Sequence, residues 1–238
     1  MTTDRDGDLS AWYASTALHW PENVKNLAAK QEVAERIAGR VTDGALIGIG
    51  SGSATYMALW SIGQRVQRES LSIRIATTSY ETQAAAVTLG LSTVPLGSVQ
   101  PDWGVDGADE LDPHGRLLKG RGGAMFREKV LWSTCKHMYL AIDPSKHVER
   151  LGQGFPIPIE VDRAAVDLVG RALDLHGSTR WGLRLAGSSK DGPVITESGN
   201  LVIDAWFDDI AHGLSAQLKL LTGVIETGLF EGYGFEVV

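Results

Sequence analysis

Short apolar runs that alternate with helical segments constrain the fold of this 238-residue chain more than any other feature. The apolar runs predict strands at residues 45–49, 72–76, 94–96, 103–105 and 138–142. Segments with apolar residues at helical spacing predict helices at residues 22–38, 54–59, 80–89 and 124–132. Because alternating strands and helices form parallel sheets covered by helices, the sequence predicts an α/β fold. Ligands of such sheets bind where the strands end at their carboxyl edge.

The pattern changes after Leu151, where residues 152–158 are rich in glycine and proline. This composition predicts a hinge rather than a helix or an interior strand. Beyond the hinge, the predicted elements are helices at residues 164–176 and 210–221 and strands at residues 181–185 and 201–205. They predict a smaller α+β domain over residues 152–223. Residues 235–238 are expected to return to the first sheet, so residues 23–151 and 224–238 form the larger domain.

The composition limits the compartments and partners that suit this chain. Lysine and arginine number 22 against 29 aspartates and glutamates, a net charge of −7, which disfavours binding to nucleic acid or to anionic membranes. No apolar run approaches the roughly 20 residues that span a bilayer. The single cysteine, Cys135, permits no intramolecular disulfide and favours a reducing, cytoplasmic environment. Residues 1–22 lack the apolar core of a secretory signal and are expected to form an N-terminal extension.

The segment of residues 102–129, DWGVDGADELDPHGRLLKGRGGAMFREK, carries most of the chemical information. Asp106 and Asp109 follow a predicted buried strand, and Lys119 stands at the edge of a glycine-rich turn. Glu128 lies in the predicted helix behind that turn. Carboxylates beside a lysine and a glycine turn suit proton transfer on a bound anion. The segment therefore predicts an active site.

A purely structural interpretation of the same segment is a solvated acidic turn followed by a Glu–Lys pair on a helix surface. This alternative explains Glu110 and Lys129 well. It explains poorly why Asp106 directly follows Val105, which belongs to the predicted buried strand.

Other segments place hydroxyls, glycines or a lysine at predicted strand ends. Residues 48–53, GIGSGS, offer backbone N–H groups and hydroxyls to a phosphate, although such turns are as common for steric reasons. They match neither a Walker loop nor a dinucleotide fingerprint. Residues 77–79, TTS, favour helix capping over ligand contact. Residues 143–146, DPSK, favour an ordinary helix start over a second phosphate-binding lysine.

Patterns typical of metal sites and nucleophiles are missing from the sequence. The 6 histidines are scattered singly, without HxxxH or HxH spacing, and cysteines form no cluster. No GxSxG motif is present. The sequence therefore predicts no metal site.

Several of these segments, together with others further along the chain, form an ordered series of motifs. They are GIGSGS at 48–53, TTS at 77–79, DGADE at 106–110, KGRGGAMFREK at 119–129, DPSK at 143–146, LGQGFPIPIEV at 151–161, GNLVID at 199–204 and GVIETGLF at 223–230. The series resembles the type A ribose-5-phosphate isomerase family, above all through the spacing of DGADE and KG-G-REK. The resemblance implies a Rossmann-like parallel-sheet domain with a smaller inserted α+β domain. It also implies a homodimer or homotetramer that needs no cofactor.

The resemblance implies the reaction and a role for each matching position. The reaction is the interconversion of ribose 5-phosphate and ribulose 5-phosphate, an aldose–ketose isomerisation through an enediolate. Glu128 matches the catalytic base, Lys119 matches the cation that balances charge on the oxygens, and Asp106 and Asp109 match the carboxylates that assist ring opening. The implied substrate-binding positions are Lys30, Ser51, Gly52, Ser53, Thr78, Ser79, Gly120, Arg121, Gly122 and Lys146.

The chain departs from the family pattern at a few of these positions. Residues 119–122 read KGRG where the family usually has KGGG, so Arg121 adds a guanidinium to the substrate loop. Ser51 replaces a threonine, and residues 53–55 read SAT where the family usually has STA. These differences motivate one alternative, an isomerase of another sugar phosphate. Others are a sugar-phosphate-binding inactive paralogue, which would not need Glu128, and a CoA-handling enzyme of related fold.

Overall fold

The computed structural model describes residues 26–187 and 191–238. The predicted extension at residues 1–22, and the beginning of the first predicted helix, lie outside the described residues. Of the helices in the described ranges, none has the length and apolar character that crossing a membrane requires.

Strands and helices alternate through most of the described chain. The strands are β1 Leu46–Ile49, β2 Arg74–Thr77, β3 Ser92–Val94, β4 Trp103–Asp106, β5 Glu110–Leu111, β6 Leu117–Leu118, β7 Met138–Leu140, β8 Ile157–Val161, β9 Ser178–Leu183, β10 Leu201–Phe207, β11 Val224–Thr227, β12 Leu229–Phe230 and β13 Glu236–Val237. The α-helices are α1 Leu27–Ala38, α2 Ser53–Glu69, α3 Tyr80–Thr88, α4 Met125–Thr134, α5 Val166–Leu175 and α6 Leu214–Lys219. Short 3₁₀ helices occupy Pro144–Lys146 and Arg163–Ala165.

A six-stranded parallel sheet has the order β3-β2-β1-β4-β7-β13, which confirms the predicted α/β fold. All residues of β1 are buried because helices cover both faces of the sheet. Ile47 and Ile49 pack in one core cluster with Ile37 of α1. On the opposite face, Gly48 lies against Leu131 of α4.

The order of the strands reverses at β1, which pairs with β2 on one side and with β4 on the other. Such a reversal opens a crevice at the carboxyl edge of a parallel sheet, because the loops on its two sides lead in opposite directions. The loops that open there are residues 50–52 after β1, 78–79 after β2 and 107–109 after β4. The sheet therefore brings the GIGSGS, TTS and DGADE motifs to one place.

A second sheet is antiparallel and has the order β11-β8-β10-β9. Its strand β8 pairs on both sides, so the prediction that residues 152–158 avoid an interior strand is wrong for its last two residues. The sheet tolerates Pro158 because the position of its missing N–H faces the end of the β8–β11 ladder and not β10. The carbonyl of Pro158 points the same way and accepts from Gly228 N at 2.7 Å, just beyond the last β8–β11 pair, Ile159 and Thr227.

The ends of several elements differ from the sequence prediction. Helix α6 covers only Leu214–Lys219 of the predicted 210–221, because Gly213 at φ 82° sets its N-terminus. Helix α2 extends to Glu69, well beyond residue 59. The return of the C-terminus to the parallel sheet is confirmed by the pairing of β13 with β7. The predicted domain of residues 152–223 omits β11, which pairs in the antiparallel sheet, and the domain limits remain a prediction.

The buried carboxylate of Glu110 ties the segment that precedes the antiparallel sheet to the short sheet β12-β6-β5. It accepts hydrogen bonds from the backbone N–H groups of Gly152 and Gly154, both at 2.6 Å, and of Phe155 at 3.2 Å. The interpretation of Glu110 as part of a solvated acidic turn is therefore wrong. Its carboxylate is sequestered because it serves as acceptor for a loop that has no strand partner.

Lys129 is also buried, against the interpretation of a surface Glu–Lys pair. Its Nζ atom donates to Glu226 Oε1 at 2.8 Å and lies over the ring of Phe230, 5.1 Å from the ring centroid. Glu226 belongs to β11, so this ion pair joins α4 to the antiparallel sheet.

Replacement of Glu110 by alanine should lower the free energy of unfolding by about 3–5 kcal/mol, because it leaves buried N–H groups without an acceptor. Urea denaturation followed by circular dichroism measures the change. Glu149→Ala is the matched control, since Glu149 is exposed, and it should change stability by about 0.5 kcal/mol or less. Equal stabilities of the two variants would show that Glu110 does not hold the loop.

Candidate active site

A cavity of about 980 Å³ lies at the carboxyl edge of the parallel sheet and extends to residues 195–198, which precede β10. Most of the predicted site residues line it. They are Lys30, Ser51, Gly52, Ser53, Ser79, Asp109, Lys119, Gly120, Arg121, Gly122, Glu128 and Lys146. Asp106 and Thr78 do not line the cavity, because both are fully buried behind its wall.

Lys119 is buried between two carboxylates at the base of the cavity. Its Nζ atom lies 3.0 Å from Asp106 Oδ2 and 3.5 Å from Glu128 Oε2, and it donates a hydrogen bond to the carbonyl of Gly107. Burial alone would lower the pKa of Lys119, but the charges of Asp106 and Glu128 outweigh it and raise the pKa above its ordinary value. Lys119 therefore stays charged, and it is enclosed by acceptors.

Glu128 lies in the first turn of α4, and its two oxygens have different surroundings. Oε1 accepts from the hydroxyl of Ser51 at 2.8 Å. Oε2 is buried and has no hydrogen-bond partner within the described residues. Burial raises the pKa of Glu128 to about 7, with a further rise from Asp106, while Lys119 and the Ser51 hydroxyl oppose the change. A carboxylate that exchanges its proton near neutral pH is suited to general base catalysis.

Asp106 is fixed in one orientation from several sides. Its Oδ1 accepts from Gly107 N at 2.8 Å, and its Oδ2 accepts from Trp132 Nε1 at 2.8 Å, in addition to the contact with Lys119. Gly50, which directly follows β1, lies so close that a Cβ atom on it would be 2.2 Å from Asp106 Oδ1. Glycine at position 50 is therefore required by the buried carboxylate beside it.

Asp109 is the second aspartate of the DGADE motif, and it lines the cavity directly. Its Oδ2 accepts from the backbone N–H of Arg121 at 3.2 Å. Burial raises the pKa of Asp109, and the charges of Lys119 and Lys146 partly oppose that rise.

Lys30, Lys146 and Arg121 add positive charge to the lining of the cavity. Lys30 Nζ donates to Ser53 Oγ at 2.9 Å, at the point where helix α2 begins. Burial lowers the pKa of Lys30, Asp143 opposes this, and the charges of Lys146 and Arg121 lower it further. Lysines beside the N-terminus of a long helix form a site suited to a phosphate group.

Comparison with known proteins agrees with this geometry. The family model described as "Ribose 5-phosphate isomerase A (phosphoriboisomerase A)" matches residues 74–238. Over 205 residues the chain is 40% identical to the ribose-5-phosphate isomerase A of Thermosynechococcus vestitus, which covers 84% of this chain and 86% of that protein. The chain belongs to the ribose 5-phosphate isomerase A family.

Solved structures of this family are similar to the chain over most of its length. Ribose 5-phosphate isomerase A from Methanocaldococcus jannaschii has a TM-score of 0.84 and 35% identity, and the match covers 89% of this chain and 94% of that chain. A D-ribose-5-phosphate isomerase in complex with phospho-erythronic acid also has a TM-score of 0.84, with 34% identity, covering 88% of this chain and 93% of that chain.

The backbone explains how this member of the ribose 5-phosphate isomerase A family accommodates Arg121. Gly120 at φ 91° and Gly123 at φ 78° take the left-handed positions of the lysine loop, residues 119–123. Arg121 is not among the non-glycine residues with positive φ, so its side chain introduces no backbone strain. The side chain is exposed at the cavity and makes no hydrogen bond or ion pair within the described residues.

The TTS motif divides between capping and the cavity wall. Ser79 is the N-cap of α3, and its hydroxyl accepts from Thr82 N at 3.1 Å, which confirms the expected capping role. Ser79 also lines the cavity. The hydroxyl of Thr78 is buried and has no hydrogen-bond partner within residues 26–187 and 191–238. The placement of Thr78 among the substrate-contacting side chains is therefore not supported by its position.

Sequence reasoning missed several residues around the cavity. Glu197, which precedes β10, accepts from the backbone N–H of Tyr80 and pairs with Arg127 Nε at 3.3 Å. Arg127 directly precedes Glu128, so the motif KGRGGAMFREK could have drawn attention to it. Glu197 gives no comparable signal, because it meets α3 only through the tertiary fold. Within the described ranges, no group of three or more His, Cys, Asp or Glu residues is placed to hold a metal ion.

Proposed function

We propose that this protein interconverts ribose 5-phosphate and ribulose 5-phosphate, with Glu128 as the base that moves the proton between C1 and C2. The observation that carries the proposal is the environment of Glu128: one oxygen accepts from Ser51, the other has no hydrogen bond within the described residues, and the pKa is about 7. Family membership supports the substrate. So does the related isomerase that holds phospho-erythronic acid, a short hydroxylated chain with a carboxylate and a phosphate.

Proton transfer begins from the open-chain aldose. Glu128 removes the proton from C2, the electron pair of that bond forms the C1–C2 double bond, and negative charge develops on the carbonyl oxygen. The resulting enediolate takes the proton back at C1, while the hydroxyl proton passes from O2 to O1. A pKa of about 7 leaves a large share of Glu128 ionised at neutral pH and still able to return the proton.

Lys119 supplies the charge that stabilises the enediolate. Its ammonium group is already enclosed by Asp106 and Glu128, so it needs no reorientation when charge develops on the substrate. Asp106 lies behind the cavity wall and acts on Lys119, whereas Asp109 lines the cavity and is the carboxylate that we assign to ring opening and hydroxyl protons.

The phosphate end of the substrate fits the cationic end of the cavity. Lys30 bonds the hydroxyl of Ser53 at the N-terminus of α2, where backbone N–H groups add to the positive potential, and the charge of Lys146 acts on Lys30 from the same cavity. With the phosphate held there, the sugar chain extends towards Lys119 and Glu128.

The wider context belongs to the same proposal. We assign the protein to sugar-phosphate metabolism of the pentose phosphate type, acting in the cytoplasm as a homodimer or homotetramer. The net charge of −7 and the single cysteine are compatible with that setting. Sedimentation at working concentration tests the oligomeric state.

Replacement of Glu128 by glutamine should lower kcat by about 10²–10⁴-fold or more, because the amide cannot accept the C2 proton. Substrate binding and the circular dichroism spectrum should remain close to those of the wild type, since the side chain keeps its shape. Glu32→Gln, on the exposed face of α1, is the control and should keep full activity. Near-wild-type turnover of Glu128→Gln would remove Glu128 from the mechanism.

The pH dependence of kcat should follow the same carboxylate. Activity should fall as pH drops through about 7, because Glu128 must be ionised. Ser51→Ala removes a hydrogen bond that lowers the pKa of Glu128, so the acidic limb should move to higher pH. Because the folded pKa lies above the ordinary 4.5, this group stabilises the fold most at low pH, and that contribution is lost between pH 4.5 and about 7. An acidic limb that Ser51→Ala leaves in place would contradict the assignment.

Arg121 bears on the choice among sugar phosphates. Its exposed guanidinium has no hydrogen-bond partner among residues 26–187 and 191–238 and is close enough to lower the pKa of Lys30, so we propose that it contacts an oxygen of the substrate. Arg121→Gly should raise KM by roughly 10- to 150-fold, the value of a charge-assisted hydrogen bond, and Arg121→Lys should restore part of it. Assays across pentose and tetrose phosphates test the ranking. An unchanged KM and ranking would show that Arg121 faces solvent.

A further inference from the structure

Arg184 directly follows strand β9, and its side chain is only 15% exposed. Its guanidinium forms a two-pronged pair with Asp204 of β10: Nε donates to Oδ2 at 2.8 Å, and the remaining prong joins Nη2 to Oδ1. The backbone of Arg184 is also fixed, since its N–H donates to Val202 O at 2.9 Å and its carbonyl accepts from Val194 N at 2.8 Å. The guanidinium therefore projects from a rigid part of the antiparallel sheet.

The third nitrogen of this guanidinium holds the lysine loop. Nη1 donates to the carbonyl of Gly120 at 2.8 Å and to the carbonyl of Arg121 at 2.7 Å. These are consecutive peptide groups, and they immediately follow Lys119. Arg184 itself does not line the cavity, so it contacts the loop from the side away from the substrate.

Two carbonyls fixed in this way also fix the N–H groups of the same peptides. No described peptide bond is cis, and in a trans peptide the N–H points opposite to the C=O. The N–H that follows Gly120 donates to Asp109 Oδ2 at 3.2 Å, so this peptide is held by Arg184 on one side and by Asp109 on the other. The Arg121 carbonyl shares its peptide group with the N–H of Gly122. This N–H has no hydrogen-bond partner within the described residues, and Gly122 lines the cavity.

We propose that Arg184, oriented by Asp204, is a positioning residue that aims the peptide N–H groups of the lysine loop at Asp109 and at the substrate. The inference rests on the proposed isomerase function and adds a group outside the cavity to it. In the structure, Arg184 joins the antiparallel sheet to the two peptides that follow Lys119, while the backbone N–H of Lys119 itself donates to Gly228 O at 2.9 Å.

The contacts require arginine at this position. A planar guanidinium presents donors on separate edges, so it satisfies a carboxylate with one edge and two carbonyls with another. A lysine ammonium at the end of a flexible chain keeps the charge but cannot hold all three acceptors in fixed directions. A misplacement of about 1 Å at a catalytic loop is enough to cost roughly 10²-fold in rate.

The test compares Arg184→Ala and Arg184→Lys with Arg180→Ala. Arg180 lies on β9 four residues before Arg184, is exposed and stacks over the ring of Trp206, 4.6 Å from its centroid, without a hydrogen bond to the lysine loop. Steady-state kinetics on ribose 5-phosphate, thermal melting, and the effect of millimolar guanidinium chloride are measured for each variant. Arg184→Ala should lose about 10²-fold in kcat while most of the protein stays folded at the assay temperature. Added guanidinium should restore part of that activity, and Arg184→Lys should fall between the alanine variant and the wild type.

The outcomes separate this inference from the proposed function. If the wild type and Arg180→Ala do not isomerise ribose 5-phosphate, both the proposed function and this inference are wrong. If they do, and Arg184→Ala retains wild-type kcat, positioning by Arg184 is refuted. It is refuted equally if the loss of activity only follows the unfolded fraction and guanidinium restores nothing. Should the alanine variant not fold, the same criteria apply to Arg184→Lys.

Discussion

The rest of this structure depends on two buried carboxylates, Asp106 and Glu128, that share the buried ammonium group of Lys119. Removing three charged groups from water is costly, and the charges of Asp106, Lys119 and Glu128 do not cancel when all three are ionised. The remaining cost appears in the raised pKa of Glu128, which holds its proton up to about pH 7. The destabilisation of the ionised carboxylate is therefore also the property that suits Glu128 to the role of base that we propose. The same arrangement requires glycine at position 50, because the backbone directly after β1 passes beside Asp106 with no space for a side chain.

The parallel sheet and the antiparallel sheet contribute different things to the cavity. The parallel sheet supplies the chemical groups, since its strand order reverses at β1 and three loops meet at that point. The antiparallel sheet supplies constraints: Arg184 holds the lysine loop by its carbonyls, and Glu197 reaches Arg127 and the start of α3. Catalytic groups on loops are placed accurately only when neighbouring elements hold those loops.

Buried carboxylates outside the reaction have a similar mechanical role. Glu110 accepts three backbone N–H groups of the segment between residues 152 and 155. Glu160, buried in β8, accepts from Thr196 Oγ1 at 2.7 Å and Asn200 Nδ2 at 2.9 Å, and so anchors the turn that carries Glu197. Irregular segments near the cavity have few ladder hydrogen bonds of their own, and charged acceptors from neighbouring strands take their place.

The sequence by itself determined the parallel α/β core and the main ionisable groups of the candidate site. Alternating strands and helices are local patterns, and Asp106, Asp109, Lys119 and Glu128 lie within one short segment whose spacing is diagnostic. Only the tertiary structure decided that Glu110 and Lys129 are buried, that Thr78 lies behind the wall, and that Pro158 fits an interior strand. It also decided the contacts of Arg184 and Glu197 with the site. The physical reason is that the burial and the hydrogen-bond partners of these residues depend on strands and loops that are distant in the chain. The residues next to them in the sequence do not indicate which distant segments they will contact.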